Sequence, residues 1–437
     1  MMAEIEVICT DNIKPSSPTP DFLRKYQLSF LDQIAPPVFV PLVYFYPSDR
    51  KITNVERLNH LQKSLSKTLN RFYPLAGRVV DNLYVDCNDE GIPYVQAKAN
   101  RKLSEVISDP IPGEMNKFLP YELDDVKNLC SAVQITQFSC GGLAVGLIIS
   151  HKIADAFSYF LFANSWAAMA REEKDIPYPK FESAAIFPPR DVAGFKPSTG
   201  IVKEDIVTKI FTFSSSKISA IRDKYADTNG DNSLRPTRIE ALSTYIWSRF
   251  ISSTQEKHNP NKIYTVLHAV NLRTRLDPPL SEYYFGNISR LAIAIPSVED
   301  REKEGYGVLN KVREAIHGIN GNYLAKLQEG DKHLKFLKER AAQANKGDLV
   351  TLNFTSLCRF PLYEADFGWG RPVWVGSASF TYKNLVTFMD NKSGDGIEAW
   401  INLKKEDMVK FEADMELNAF LGSSPADKTF GFQNSEL

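Results

Sequence analysis

The residues best suited to do chemistry in this chain are His151 and Asp155, the ends of His151-Lys152-Ile153-Ala154-Asp155. A neutral imidazole takes up and returns a proton near pH 7, so a histidine in such a setting reads as a general acid–base group. Spacing alone says little: with six histidines, an aspartate four places on arises by chance in about one chain in three. The surroundings say more. Leu143 to Ser150 is an apolar run suited to a buried strand, and Ala156 to Met169 has a helical pattern. His151 therefore stands at a strand-to-helix junction, where catalytic groups often sit. The alternative for the same residue is a core histidine bonded to backbone.

Two further groups stand out. Arg273 follows the strand pattern Tyr264 to Asn271 and precedes a Pro278-Pro279 break, so its cation is placed to reach an acidic partner; without one it is a surface charge. Asp366-Phe367-Gly368-Trp369-Gly370-Arg371-Pro372 holds two glycines, two aromatics and a proline in seven residues. Glycine permits positive φ and the aromatics need apolar surroundings, so this is a packed loop. Its weight is structural, with Asp366 suited to cap its own turn.

These groups need elements to hold them. Leu58, Leu61, Leu65 and Leu69 recur at helical spacing before the break Tyr73-Pro74-Leu75-Ala76-Gly77. Leu83 to Cys87 and Pro93 to Ala97 read as strands around the turn Asn88-Asp89-Glu90-Gly91, a hairpin after the helix. Prolines and glycines from Pro177 to Glu204 interrupt all periodicity and mark the boundary between halves. Beyond it come a strand at Ile210 to Phe213, a helix from Ser216 to Tyr225 and a polar loop from Asp227 to Ser233. Thr237-Arg238-Ile239-Glu240 then has the capping-box pattern that opens a helix to about Phe250. Strands interleaved with helices favour an α/β layer architecture.

Composition excludes some classes of function. With 437 residues, 43% hydrophobic and 24% charged, the chain suits a globular protein of two or three domains. Its 52 basic and 53 acidic residues give a net charge of -1, with no nucleic-acid footprint or membrane-surface patch. Small molecules are the expected partners. Cys9, Cys87, Cys130, Cys140 and Cys358 are scattered and odd in number, which argues against a disulfide framework and against a zinc site. No apolar stretch reaches membrane-spanning length and the C-terminal Asn-Ser-Glu-Leu is no retention signal, so a cytoplasmic protein is expected.

The histidine motif with Asp366-Phe367-Gly368-Trp369-Gly370 resembles the motif pair of the plant BAHD acyl-CoA-dependent acyltransferases. Leu31-Asp32-Gln33, Phe72-Tyr73-Pro74-Leu75-Ala76-Gly77-Arg78, Asn271-Leu272-Arg273, Phe285-Gly286-Asn287 and Ser393-Gly394-Asp395-Gly396 stand in that family's order. Ser150 to Asp155 and Val85 to Asp89 are most similar to the vinorine synthase-like branch, which acetylates alkaloid and terpenoid alcohols.

The resemblance implies an α/β fold of two chloramphenicol-acetyltransferase-like domains, each a mixed β-sheet with flanking helices, joined by a long crossover loop. Residues 1–190 would form the first domain, 191–214 the crossover and 215–437 the second. It further implies a monomer that binds acyl-CoA, best acetyl-CoA, as cosubstrate from one face and an alcohol from the other, with no metal. His151 would be the base in a ternary complex without an acyl-enzyme. Asp155 would pair with Arg273, and Asp366, Gly368, Trp369 and Gly370 would hold the CoA side in shape. One departure falls where the family commonly has Thr-Ser-Trp: this chain has Thr355-Ser356-Leu357. Loss of an indole donor to the oxyanion is one reading of Leu357. The other, which we prefer, is a larger acceptor cavity, with Thr355 or water serving the oxyanion. A protein that kept the fold but not transfer is the alternative class of function. A serine hydrolase is disfavoured because neither Ser150 nor Ser158 lies in a Gly-x-Ser-x-Gly elbow.

Overall fold

A computed structural model describes residues 4–421 apart from 196, 198, 202–204, 227–234, 254–261, 298, 301–304, 331–333, 336–337, 340–348 and 380–381. The polar 227–233 loop and the C-terminal tetrapeptide of the sequence reading lie outside the described residues. The strands are β1 (Ile5–Ile13), β2 (Lys25–Gln27), β3 (Phe39–Tyr46), β4 (Arg78–Val80), β5 (Tyr84–Asp86), β6 (Ile92–Ala99), β7 (Ser131–Phe138) and β8 (Leu143–Ser150). In the second half follow β9 (Ile206–Ser214), β10 (Ile263–Asn271), β11 (Ser289–Ala294), β12 (Leu349–Ser356), β13 (Trp374–Gly376), β14 (Leu385–Asp390) and β15 (Gly396–Lys404).

Two six-stranded mixed sheets carry the fold, in the orders β1-β6-β7-β8-β3-β13 and β11-β10-β12-β14-β15-β9, beside a small sheet β2-β5-β4. β8 lies between β7 and β3 with every residue buried, which is why its sequence is a continuous apolar run rather than an alternation. Gly146 within it has no room for a side chain, since a Cβ there would stand 1.9 Å from the Phe118 carbonyl oxygen. Helix Asn54–Leu69 starts on a capping box of Thr53 and Glu56 and buries Leu58, Leu61, Leu65 and Leu69 against the first core. Thr237 and Glu240 exchange the reciprocal hydrogen bonds of the expected capping box at the start of helix Arg238–Ser253, which covers the second core. A third cluster, including Phe30, Leu31, Phe187, Leu272 and Ile288, joins the halves.

Three details differ from the expectation. The hairpin is not formed: β5 pairs with β2 and β4, while β6 pairs with β1 and β7. The turn between them only carries the chain from one sheet to another. The segment 191–214 is a connection only in its first part, because Ile206–Ser214 forms the edge strand β9 and buries Phe211 and Phe213 in the second core. Finally, β13 leaves the second half and adds to β3 of the first sheet, where Trp374 and Val375 are buried.

Candidate active site

β8 delivers the chain to His151. The His151 amide donates to the Val38 carbonyl (2.8 Å), and its own carbonyl accepts from the Asn287 side-chain amide (2.7 Å). The peptide units on both sides of the imidazole are thus pinned, one by each half of the chain. The Asn287 amide nitrogen also donates to Asp32 Oδ1 (2.8 Å), as does its backbone N–H (2.8 Å). Acceptors on both sides require the nitrogen, not the oxygen, to face them. Asp32 is fully buried; its second oxygen accepts from the Ser29 N–H (2.9 Å) and hydroxyl (2.6 Å). Burial raises its carboxyl above the ordinary range even so. The Lys152 ammonium, pulled down to about 8 by burial, donates to the Gln33 carbonyl (2.8 Å).

The imidazole is half-buried. Its Nδ1 is buried without a hydrogen-bond partner, and the residue keeps partial exposure. Burial pulls its pKa below the ordinary histidine value, against the opposing field of the Asp155 carboxylate. The ring is therefore neutral at pH 7, the form that accepts a proton.

Asp155 turns away from it. The residue is the N-cap of helix Ala156–Ala170, its Oδ1 accepting from the Ser158 N–H (3.1 Å) and hydroxyl (3.0 Å). Arg273 completes a bidentate pair, Nη1 to Oδ2 at 2.6 Å and Nη2 to Oδ1 at 3.1 Å, and the Ile288 amide donates to Oδ2 at 3.1 Å. Burial opposes ionisation of Asp155, but the Arg273 charge and these donors hold its pKa below the usual carboxylate range. With both oxygens so engaged, Asp155 is placed to fix the loop and not to orient the imidazole. Arg273 is 1% exposed, donates to the Tyr284 carbonyl (2.7 Å), and lies 5.0 Å from the Phe157 ring centroid. Gly286, at φ +127°, passes so close to Ser183 that a Cβ would stand 2.7 Å from its hydroxyl oxygen. This glycine brings the Gly286 N–H and carbonyl onto the Ser158 hydroxyl, at 2.9 and 3.0 Å.

Thr355 lies near the end of β12 in register with Thr387, half-buried. The Leu357 amide donates to the Phe388 carbonyl (2.8 Å), and its side chain packs on the first core. Phe360, three residues on, meets Phe157 at 4.6 Å and Phe160 at 5.2 Å between ring centroids. The segment after β12 thereby abuts the helix that starts at the histidine motif.

Asp366, Gly368, Trp369 and Gly370 belong to a different place. Asp366 Oδ1 accepts from the Gly368 (2.8 Å) and Gly370 (3.0 Å) amides, closing the loop on itself, and both glycines have positive φ, +105° and +96°. Phe367 lies against Trp166 and Tyr46, and Trp369 against Arg57 and His60 of helix Asn54–Leu69. The loop thus packs on the outer helices, before the chain enters β13. Sequence reasoning assigned no role to Asp32 or Asn287, although both stood in the motif series; their contact joins residues 255 positions apart.

Two six-stranded mixed sheets meeting over one histidine is the architecture of the two-domain, chloramphenicol-acetyltransferase-like transferases. Residues 3–418 match the Transferase family model. Stemmadenine O-acetyltransferase of Catharanthus roseus is 35% identical over 426 residues, 95% of this chain and 97% of that protein. Vinorine synthase of Rauvolfia serpentina is 35% identical over 426 residues, 95% and 98% of the two chains. The vinorine synthase crystal structure matches with a TM-score of 0.83 at 34% identity, covering 97% of this chain and 100% of that one. A limonoid 21-O-acetyltransferase of Melia azedarach is 33% identical over 427 residues, 96% of this chain and 99% of that protein. The chain belongs to this transferase family, the BAHD acyltransferases, and is an acyltransferase. Among the described residues no helix is long and apolar enough to cross a membrane, and no cluster of His, Cys, Asp and Glu could hold a metal ion.

Proposed function

We propose that this chain transfers an acetyl group from acetyl-CoA to a hydroxyl of an alkaloid or terpenoid alcohol, with His151 as general base. The observation that carries the reading is the half-buried imidazole of His151, with burial pulling its pKa down and its backbone held from both halves. The acetyl group and its transfer to oxygen are supported by the names of two relatives, a stemmadenine O-acetyltransferase and a limonoid 21-O-acetyltransferase.

An alcohol is a poor nucleophile at neutral pH. As its oxygen attacks the thioester carbonyl, the imidazole takes the hydroxyl proton; the tetrahedral intermediate then expels the CoA sulfur, which receives that proton from the imidazolium. Atoms and charge balance without a serine or cysteine nucleophile. Asp155 and Arg273 keep the histidine loop in shape. Leu357, smaller than the indole the family commonly has there, leaves more room for a bulky acceptor in this reading. A protein that kept the fold but not the transfer is not favoured, since the base is present together with the residues that position it.

The test is His151→Ala. The variant should fold, since the Asp155–Arg273 pair is untouched, while transfer falls by about a hundredfold or more. Wild-type protein given acetyl-CoA alone should show no acetyl adduct in intact-mass measurement. A stoichiometric adduct chased off by alcohol would establish a ping-pong route instead.

A further inference from the structure

Among the largest fully buried side chains are two arginines, Arg273 and Arg57. Arg273 has its carboxylate. Arg57, on helix Asn54–Leu69 and 0% exposed, has none: its hydrogen bonds are two long ones from Nη1, to Asn54 Oδ1 (3.4 Å) and the Gly141 carbonyl (3.3 Å). Nε and Nη2 are buried without an acceptor among the described residues. Asp49 is the carboxylate whose field reaches Arg57, but it forms no ion pair with it and is engaged by the Lys51 and Ile52 amides at 2.6 and 3.0 Å. The guanidinium lies 4.8 Å from the Trp369 ring centroid, and Trp369 Nε1 is a third buried donor without a partner. His60, one helical turn from Arg57, packs on the same indole at 6.0 Å.

A buried charge is ordinarily paired, and buried N–H groups without acceptors are rare. The Trp369 ring face supplies part of what Arg57 lacks, but it brings neither a counter-charge nor an acceptor for its own N–H. A water molecule would accept two of these hydrogens without balancing the charge. Burial pulls the guanidinium down to about 10, in keeping with a cation short of a counter-charge.

We propose that Arg57 and Trp369 form a seat for one small monovalent anion of the halide class, between helix Asn54–Leu69 and the Asp366–Gly370 loop. One negative charge balances one guanidinium, and a spherical anion takes donors from several directions where all the groups on offer are N–H. A tetrahedral oxyanion is disfavoured because Arg57 is completely covered. The anion staples the loop that leads into β13 to a helix of the first half, so the site bears on stability.

The experiment compares thermal unfolding in sodium chloride or bromide with sodium gluconate at equal ionic strength, for the wild type and Arg57→Met. The wild-type midpoint should rise with the logarithm of halide concentration above the dissociation constant, by about 3 °C at roughly ten times that constant. Arg57→Met should not respond, and in gluconate it should be at least as stable as the wild type, because a buried cation has been replaced by an apolar side chain of similar length. Crystals grown in bromide should show an anomalous peak beside Arg57. Equal halide responses in the two proteins, or a water without anomalous signal at that position, would overturn the proposal. If Arg57→Met does not fold, Trp369→Phe keeps a ring and removes the N–H, and must raise the halide dissociation constant fitted to that dependence severalfold; an unchanged constant refutes the seat.

Discussion

Asp155→Ala removes the partner of a buried guanidinium, and the structure allows its cost to be worked out. Asp155 and Arg273 are 5% and 1% exposed, so little solvent screening discounts their interaction. Breaking such a pair from one side costs about 3–5 kcal/mol, because the remaining charge stays buried. The same carboxylate caps helix Ala156–Ala170, and loss of an N-cap adds about 1 kcal/mol. Arg273 keeps its bond to the Tyr284 carbonyl, at 2.7 Å, which recovers part of the loss. A destabilisation of roughly 4 kcal/mol is expected, a large share of the 5–15 kcal/mol that domains typically possess. The assay is urea unfolding at pH 7 of Asp155→Ala, Asp155→Asn and the double variant Asp155→Ala/Arg273→Met. Asp155→Asn keeps the shape and a capping oxygen and should fall between wild type and alanine, while the double variant should recover about 2 kcal/mol by removing the stranded cation. Wild-type stability in Asp155→Ala combined with slow turnover would refute the reasoning and return Asp155 to the catalytic residues.

Leu357→Trp should raise the Michaelis constant for a bulky acceptor and spare that for acetyl-CoA, in steady-state kinetics with each substrate varied. A higher turnover at unchanged acceptor affinity would mean that the missing indole N–H limits the chemistry. His268, buried against Phe354 and lowered to about 4 by burial, adds a pH term to stability. The unfolded chain protonates it near pH 6.5 and the folded chain only near 4, so its contribution is complete above 6.5 and lost as pH falls between those values. Wild type should therefore lose about 2 kcal/mol more than His268→Phe between pH 7 and pH 4.5; equal losses in denaturant titrations refute the assignment.

What could be read from the chain was local. The apolar run of β8 and the aspartate at the head of the next helix mark their elements because burial on both faces and N-capping leave direct traces in residue type. The Thr237–Glu240 box is legible for the same reason. Strand pairing was not: a turn rich in Asn, Asp and Gly between β5 and β6 permits a hairpin, and nothing within it records that β2 competes for β5 and β1 for β6. Nor does Ile210 to Phe213, legible as a strand, announce that the strand begins at Ile206 and forms the edge of the second sheet. Asn287 and Asp32 were visible only as members of a motif series, since the hydrogen bonds between them form only once the two halves are folded together.

That last contact bears on how the site works. Every donor that reaches the histidine loop or its aspartate from the second half comes from one short stretch of chain: Arg273 to Asp155, Gly286 to Ser158, Asn287 to the His151 carbonyl and Ile288 to Asp155. From the first half come the Val38 carbonyl and, through Asn287, the carboxylate of Asp32. The proposed base must stand within hydrogen-bond reach of the alcohol and tolerates little freedom, since a displacement of about 1 Å is enough to cost a hundredfold in rate. The first half alone would leave His151 at the end of a strand with its carbonyl peptide unit free. Docking of the halves, sealed by Phe30, Leu272 and Ile288, thus fixes the backbone of His151. Substitutions along the seam should therefore depress turnover even where they touch neither substrate.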